Sequence, residues 1–203
     1  MLELLEMLTI GFAVGMTGAL VPGPMLFATI DTSLKRGWQA GPEIFAGHAA
    51  LELLVCLLII YGITSVSDNA VTAISLIGGA ALVIFGAITV KNAKSAAGSV
   101  HEHGKTSASP VLAGVVASAS NPYFWLWWLA AGSALVLRGL EISIFAVAMF
   151  VTGHWLADLG YFTVVSTSFS RGKKFMSPKL YEMVLISCGL FLVLFGSWFI
   201  IGT

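Results

Sequence analysis

Ile44-Phe45-Ala46-Gly47-His48-Ala49-Ala50-Leu51-Glu52-Leu53-Leu54-Val55-Cys56-Leu57-Leu58-Ile59-Ile60 is an apolar run interrupted by one imidazole and one carboxylate. His48 and Glu52 are four residues apart, so in a helix they share one face. The pattern recurs in a second apolar run as Gly153-His154-Trp155-Leu156-Ala157-Asp158. Both segments read G-H-x-x-x-acid. A carboxylate at the centre of a membrane-spanning helix costs about 2.5–3.5 kcal/mol, and such residues usually face a cavity or an ion path. Carrying that cost twice in matching contexts points to a transport site.

The rest of the chain agrees with a membrane setting. Of its 203 residues 58% are hydrophobic and only 10% charged, against about 25% charged in an ordinary soluble domain. The expected class is therefore an all-α polytopic membrane protein. A formal net charge of zero suggests no nucleic-acid partner. Cys56 and Cys188 lie singly in apolar runs and read as packing residues. The acidic start, Met1-Leu2-Glu3-Leu4-Leu5-Glu6, does not suit a signal peptide, so the first apolar run is expected to stay as a helix.

Six spans are expected, at about 4–34, 43–65, 70–91, 110–137, 141–168 and 180–201. The first and fourth are too long for one straight crossing of roughly 20 residues. Each holds a breaker, Pro22-Gly23-Pro24 in the first and Asn121-Pro122 in the fourth, and proline forces a kink or an unwound turn. Nine of the ten Lys and Arg residues fall in loops on one side of this arrangement, and Arg138 alone on the other. The positive-inside rule then puts the basic loops in the cytoplasm and both termini outside a plasma membrane.

The polar stretch 92–109 reads as a cytoplasmic linker between two three-helix units, 1–91 and 110–203. Its His101-Glu102-His103 triplet reads as solvated surface rather than a metal site. Each unit has a broken helix followed by a helix with G-H-x-x-x-acid. An odd number of spans per unit makes the units insert in opposite senses, giving a 3+3 inverted repeat, a recurrent transporter architecture. Unwound backbone at membrane depth is tolerated when it lines a cavity. The expected solute site therefore comprises Pro22, Gly23, Pro24, His48, Glu52, Asn121, Pro122, His154 and Asp158.

These residues resemble the lysine exporter (LysE/RhtB) superfamily of small amino-acid efflux proteins. The resemblance rests on Pro22-Gly23-Pro24, on Lys35-Arg36-Gly37-Trp38-Gln39-Ala40-Gly41, on Gly47-His48, and on Ala119-Ser120-Asn121-Pro122. It implies a non-enzymatic secondary transporter without a resident cofactor or metal, exporting amino acids or similar zwitterions by alternating access. Glu52 and Asp158 would neutralise the solute's ammonium group or carry a coupling proton, because carboxylate–imidazole pairs can exchange protons near neutral pH. Met25 departs from the Asn often found after Pro-Gly-Pro, and the paired acids are not typical of lysine or threonine exporters. An alternative is export of a divalent transition metal on His48, Glu52, His154 and Asp158. A disulfide-reducing electron carrier would need thiols at the breaks, which carry none. The stripe Gly11, Gly15 and Ala19 would allow close helix packing, within the protomer or in a homodimer.

Overall fold

The computed structural model describes residues 1–21, 23–62, 68–98 and 109–202, and every regular element among them is helical. In chain order these are α1 (Leu2–Ala19), α2 (Pro24–Arg36), α3 (Ala40–Ile60), α4 (Asp68–Gly98), α5 (Pro110–Ala119) and α6 (Pro122–Trp127). A π-helical turn over Trp128–Gly132 leads into α7 (Ser133–Ile142), followed by α8 (Ile144–Gly172) and α9 (Pro178–Ile201). Pro22, residues 63–67 and the segment with His101, Glu102 and His103 lie outside the described residues.

Among the described residues four helical stretches are long and apolar enough to cross a membrane: Leu2–Ala19, Ala40–Ile60, Ile144–Phe175 and Pro178–Trp198. Their outer faces stay apolar. Leu54, Val164 and Leu194 are each more than half exposed, the reverse of what water favours on contiguous surfaces.

The expected first helix is two helices. Gly23 is fully extended at φ −154° and ψ −177°, and Asn121 is extended at φ −97° and ψ 107°. Each precedes a proline, whose ring excludes the preceding residue from helical geometry. The proline then opens the next helix at its first position, where the missing N–H costs nothing. The second break is repaired from within: Asn121 accepts a hydrogen bond from the Tyr123 amide at 3.0 Å, and the Trp125 indole donates to the Ala119 carbonyl at 2.9 Å. Backbone groups freed inside a membrane must be satisfied in this way.

Several boundaries differ from the sequence reading, two of them with a clear cause. Helix α4 runs on to Gly98, because Asn92-Ala93-Lys94-Ser95-Ala96-Ala97 contains no breaker and Ala93 and Ala97 are buried against Leu34, Tyr181 and Leu185. The expected linker is shortened by that much. The fourth span likewise continues through the π turn to Ile142, and extended Ser143 caps α8 by accepting from the Ala146 amide.

Glycines set the tight helix crossings. A methyl group at Gly47 on α3 would overlap the Val111 carbonyl oxygen on α5, and one at Gly114 on α5 would overlap the Ile44 carbonyl oxygen on α3. On the other crossing, Gly153 on α8 abuts the Leu8 carbonyl of α1, and Gly11 on α1 abuts the Phe150 carbonyl of α8. Helices α4 and α9 meet through Gly79 against Gly196 and Gly86 against Gly189. Glycine at these points brings backbones together where any side chain would hold them apart. The Gly11 and Gly15 stripe is thus used inside the protomer, against α8.

At the end of α2, Asp31 and Lys35 form an ion pair one helical turn apart, with the carboxylate 4% exposed. Lys35 reaches back along the helix to this buried carboxylate.

Candidate functional site

Glycine crossings fix the site. Each G-H-x-x-x-acid helix is clamped at its glycine, so the histidine one residue later is held at the crossing and the acid one turn beyond. Gly47 clamps α3 to α5, and Gly153 clamps α8 to α1. The two motif faces then meet.

Four side chains converge there. His48 Nε2 lies 3.1 Å from Glu52 Oε1 and 3.5 Å from Asp158 Oδ2. His154 Nε2 lies 2.9 Å from the same Glu52 Oε1 and 3.3 Å from the same Asp158 Oδ2. The shortest of these contacts joins the two halves of the chain. Exposure of the side chains is 1% for Glu52, 4% for Asp158, 5% for His154 and 12% for His48, so little of the cluster is exposed.

The acids have different environments. Glu52 receives three further or shared donors: Trp128 Nε1 at 3.2 Å and His154 Nε2 at 2.9 Å to Oε1, and Trp155 Nε1 at 2.9 Å to Oε2. An indole N–H can only donate, so both Glu52 oxygens are acceptors and the ionised form is well served. Asp158 Oδ2 has no hydrogen-bond partner among the described residues.

The histidines differ as well. His48 Nδ1 is 2.7 Å from Ser118 Oγ, and Ser118 Oγ is 2.8 Å from the Gly114 carbonyl oxygen. His154 Nδ1 has no partner among the described residues; Gly15 passes beside it. That ring is held instead by stacking on Trp127, with centroids 4.7 Å apart and planes at 28°, and by the edge of Trp128 at 5.9 Å.

The cluster forms part of the wall of a cavity of about 600 Å³. Of the site residues expected from sequence, Gly23, His48, Glu52, Asn121, His154 and Asp158 all line it, so both chain breaks and both motifs open onto one space. Pro24 does not; it lines a separate apolar cavity of about 170 Å³ with Ala28, Leu82, Phe85 and Leu192. Pro122 is the first residue of α6, directly after Asn121. Most of the remaining wall is aromatic and includes Phe124, Trp127, Trp128 and Phe162.

Sequence reasoning missed Ser118, Trp128 and Trp155. Trp155 carried a signal, since a donor-only indole inside the second motif is a natural partner for an intramembrane carboxylate. Trp128 is aimed by the π turn that begins at it, and such turns recur at functional sites.

The LysE type translocator family model matches residues 16–203. The chain belongs to that family. Comparison with curated proteins and with solved structures yields no match. LysE type translocators are membrane transporters rather than enzymes, and the apolar helices of this chain suit that role. In this family member the match covers both motif helices and both breaks.

Proposed function

We propose that this LysE type translocator is a secondary exporter of small amino-acid-like zwitterions, working by alternating access at the cavity between its two chain breaks. One observation carries the reading: Gly23, Asn121 and the two histidine–acid pairs line a single cavity of about 600 Å³, within the usual range for small-molecule sites. The first-turn amides of α2, which lack partners within their own helix, offer donors to a carboxylate. Glu52 and Asp158 offer negative charge to an ammonium group.

The reading includes a 3+3 inverted repeat of six spans, with units before and after the segment that follows α4. Support comes from the crossings. Ile44 and Val111 stand three residues before Gly47 and Gly114, and Phe150 and Leu8 stand three residues before Gly153 and Gly11. Each glycine meets the carbonyl three residues before its partner glycine, so α3 on α5 repeats α8 on α1. The spacing of Gly79 to Gly86 is likewise that of Gly189 to Gly196. The basic loops favour cytoplasmic placement, with the termini outside.

Proton coupling is assigned to Asp158 and Glu52, with Asp158 as the acid whose occupancy changes. Glu52 is held by indole and imidazole donors that favour one state, whereas Asp158 Oδ2 is without a hydrogen bond among the described residues. In proteoliposomes loaded with a mixture of amino acids, Asp158→Asn abolishes the response of efflux to an imposed pH gradient. Gradient-driven efflux that survives unchanged in both Asp158→Asn and Glu52→Gln refutes the coupling role. Absence of any amino-acid flux in the wild type refutes the reading of the cavity.

A further inference from the structure

We propose that His48, His154, Glu52 and Asp158 form a binding site for one divalent transition-metal ion of the zinc type. The ion would be held by both Nε2 atoms, Glu52 Oε1 and Asp158 Oδ2. The four histidine–acid separations are 3.1, 3.5, 2.9 and 3.3 Å. They close a ring in which nitrogen and oxygen alternate. Ligand atoms about 3.2 Å apart are spaced as in a tetrahedral site, whose centre lies about 2.0 Å from each, close to the zinc–nitrogen and zinc–oxygen bond lengths of about 2.0–2.2 Å. The ligand atoms of His48, Glu52 and Asp158 lie within 4.8 Å of one another, a set that does not extend to His154, so these three form the core of the site and His154 adjoins it on the Glu52 side.

Proton placement supports a cation at that centre. Ser118 Oγ lies 2.7 Å from His48 Nδ1, 2.8 Å from the Gly114 carbonyl oxygen and 3.4 Å from Met25 Sδ. With the hydroxyl proton directed to the Gly114 carbonyl oxygen, Ser118 Oγ accepts from His48 Nδ1–H, and a neutral His48 then turns its Nε2 lone pair toward two carboxylates. A lone pair facing two anions is repulsive unless a cation stands between them. Protons on the two Nε2 atoms would serve Glu52 but leave Asp158 Oδ2, on a residue 3% exposed, without a hydrogen bond. A metal ion uses all four ligands.

Charge and outer contacts agree. Two carboxylates and two neutral imidazoles carry two negative charges at membrane depth, where isolated charge is costly, and a divalent cation cancels them. Two imidazoles favour zinc, nickel or copper over calcium and magnesium. Groups that orient ligands are in place: Ser118 on His48 Nδ1 and Trp155 on Glu52 Oε2, the latter leaving Oε1 turned to the centre. An ion bound here competes with the solute's ammonium group and with the coupling proton for Glu52 and Asp158.

The test uses purified protein in detergent with His101 and His103 both replaced by Ala, which removes the other histidine pair in the chain. Zinc content after dialysis and the visible absorption of added cobalt are read. One ion per chain is expected, with loss of that ion in His48→Ala and in His154→Ala. Ser118→Ala keeps all four ligands and weakens affinity about 10- to 100-fold, so it decides the matter if a histidine variant does not fold. No bound zinc in the parent, or affinity unchanged in folded Ser118→Ala and His48→Ala, overturns the site. Failure of amino-acid flux leaves these readouts untouched, so the two proposals fail separately.

Discussion

Trp155→Phe removes one hydrogen-bond donor from the centre of the site and little else. The Trp155 indole donates to Glu52 Oε2 at 2.9 Å, and no other hydrogen bond reaches that oxygen among the described residues. The ring also packs edge-on against Phe45, with centroids 6.5 Å apart and planes at 83°, a contact phenylalanine retains. A hydrogen bond to a charged group contributes about 1.5–3 kcal/mol in water-soluble proteins. Between membrane helices the average is about 0.6 and the maximum about 1.7 kcal/mol, because the unfolded chain in the membrane finds other partners. Glu52 is 1% exposed and Oε2 has no substitute donor, so the upper end applies: about 1.5 kcal/mol, or roughly tenfold in the folding equilibrium. The assay is equilibrium unfolding in mixed micelles of rising SDS content, followed by circular dichroism. The same substitution in a Glu52→Met background costs close to nothing, and the difference isolates the pair. A loss below about 0.3 kcal/mol in the parent, or an equal loss in both backgrounds, refutes the account of Glu52 as an anion fixed by indole donors.

Lys35→Met leaves the Asp31 carboxylate buried without its partner and destabilises by about 3–5 kcal/mol; adding Asp31→Asn restores most of the loss in the same unfolding assay. Gly47→Ala and Gly153→Ala each force a methyl onto a carbonyl oxygen of the facing helix and cost about 1–3 kcal/mol, and the two losses are alike because the crossings match. Asn121→Ala removes the cap on the Tyr123 amide, costs about 1 kcal/mol and lowers solute flux in proteoliposomes by opening the second break.

Much of this protein was legible because its causes are local. Composition alone places the chain in a membrane, since few charges and long apolar runs leave no other medium for Leu54, Val164 and Leu194. The breaks are local too, because the proline ring acts on Gly23 and Asn121 through the next peptide bond. The glycine, histidine and acid spacing placed each pair on one helix face before any contact was known. The linker was less legible: the sequence from Asn92 onward is polar enough for a loop, and only the burial of Ala93 and Ala97 against α2 and α9 keeps it helical.

By itself the sequence determined that there are two broken helices and two buried histidine–acid pairs, each a matter of residues within one turn of one another. Tertiary structure alone decided how the pairs combine. Helix α1 packs on α8 and α5 on α3, so each motif is clamped by the broken helix of the other half, and His154 reaches Glu52 more closely than it reaches its own Asp158. The same crossing made the acids unequal, giving Glu52 two indole donors and leaving Asp158 Oδ2 with none among the described residues. Spacing along a helix fixes which face a side chain occupies, whereas its partner is set by where glycine lets two backbones touch.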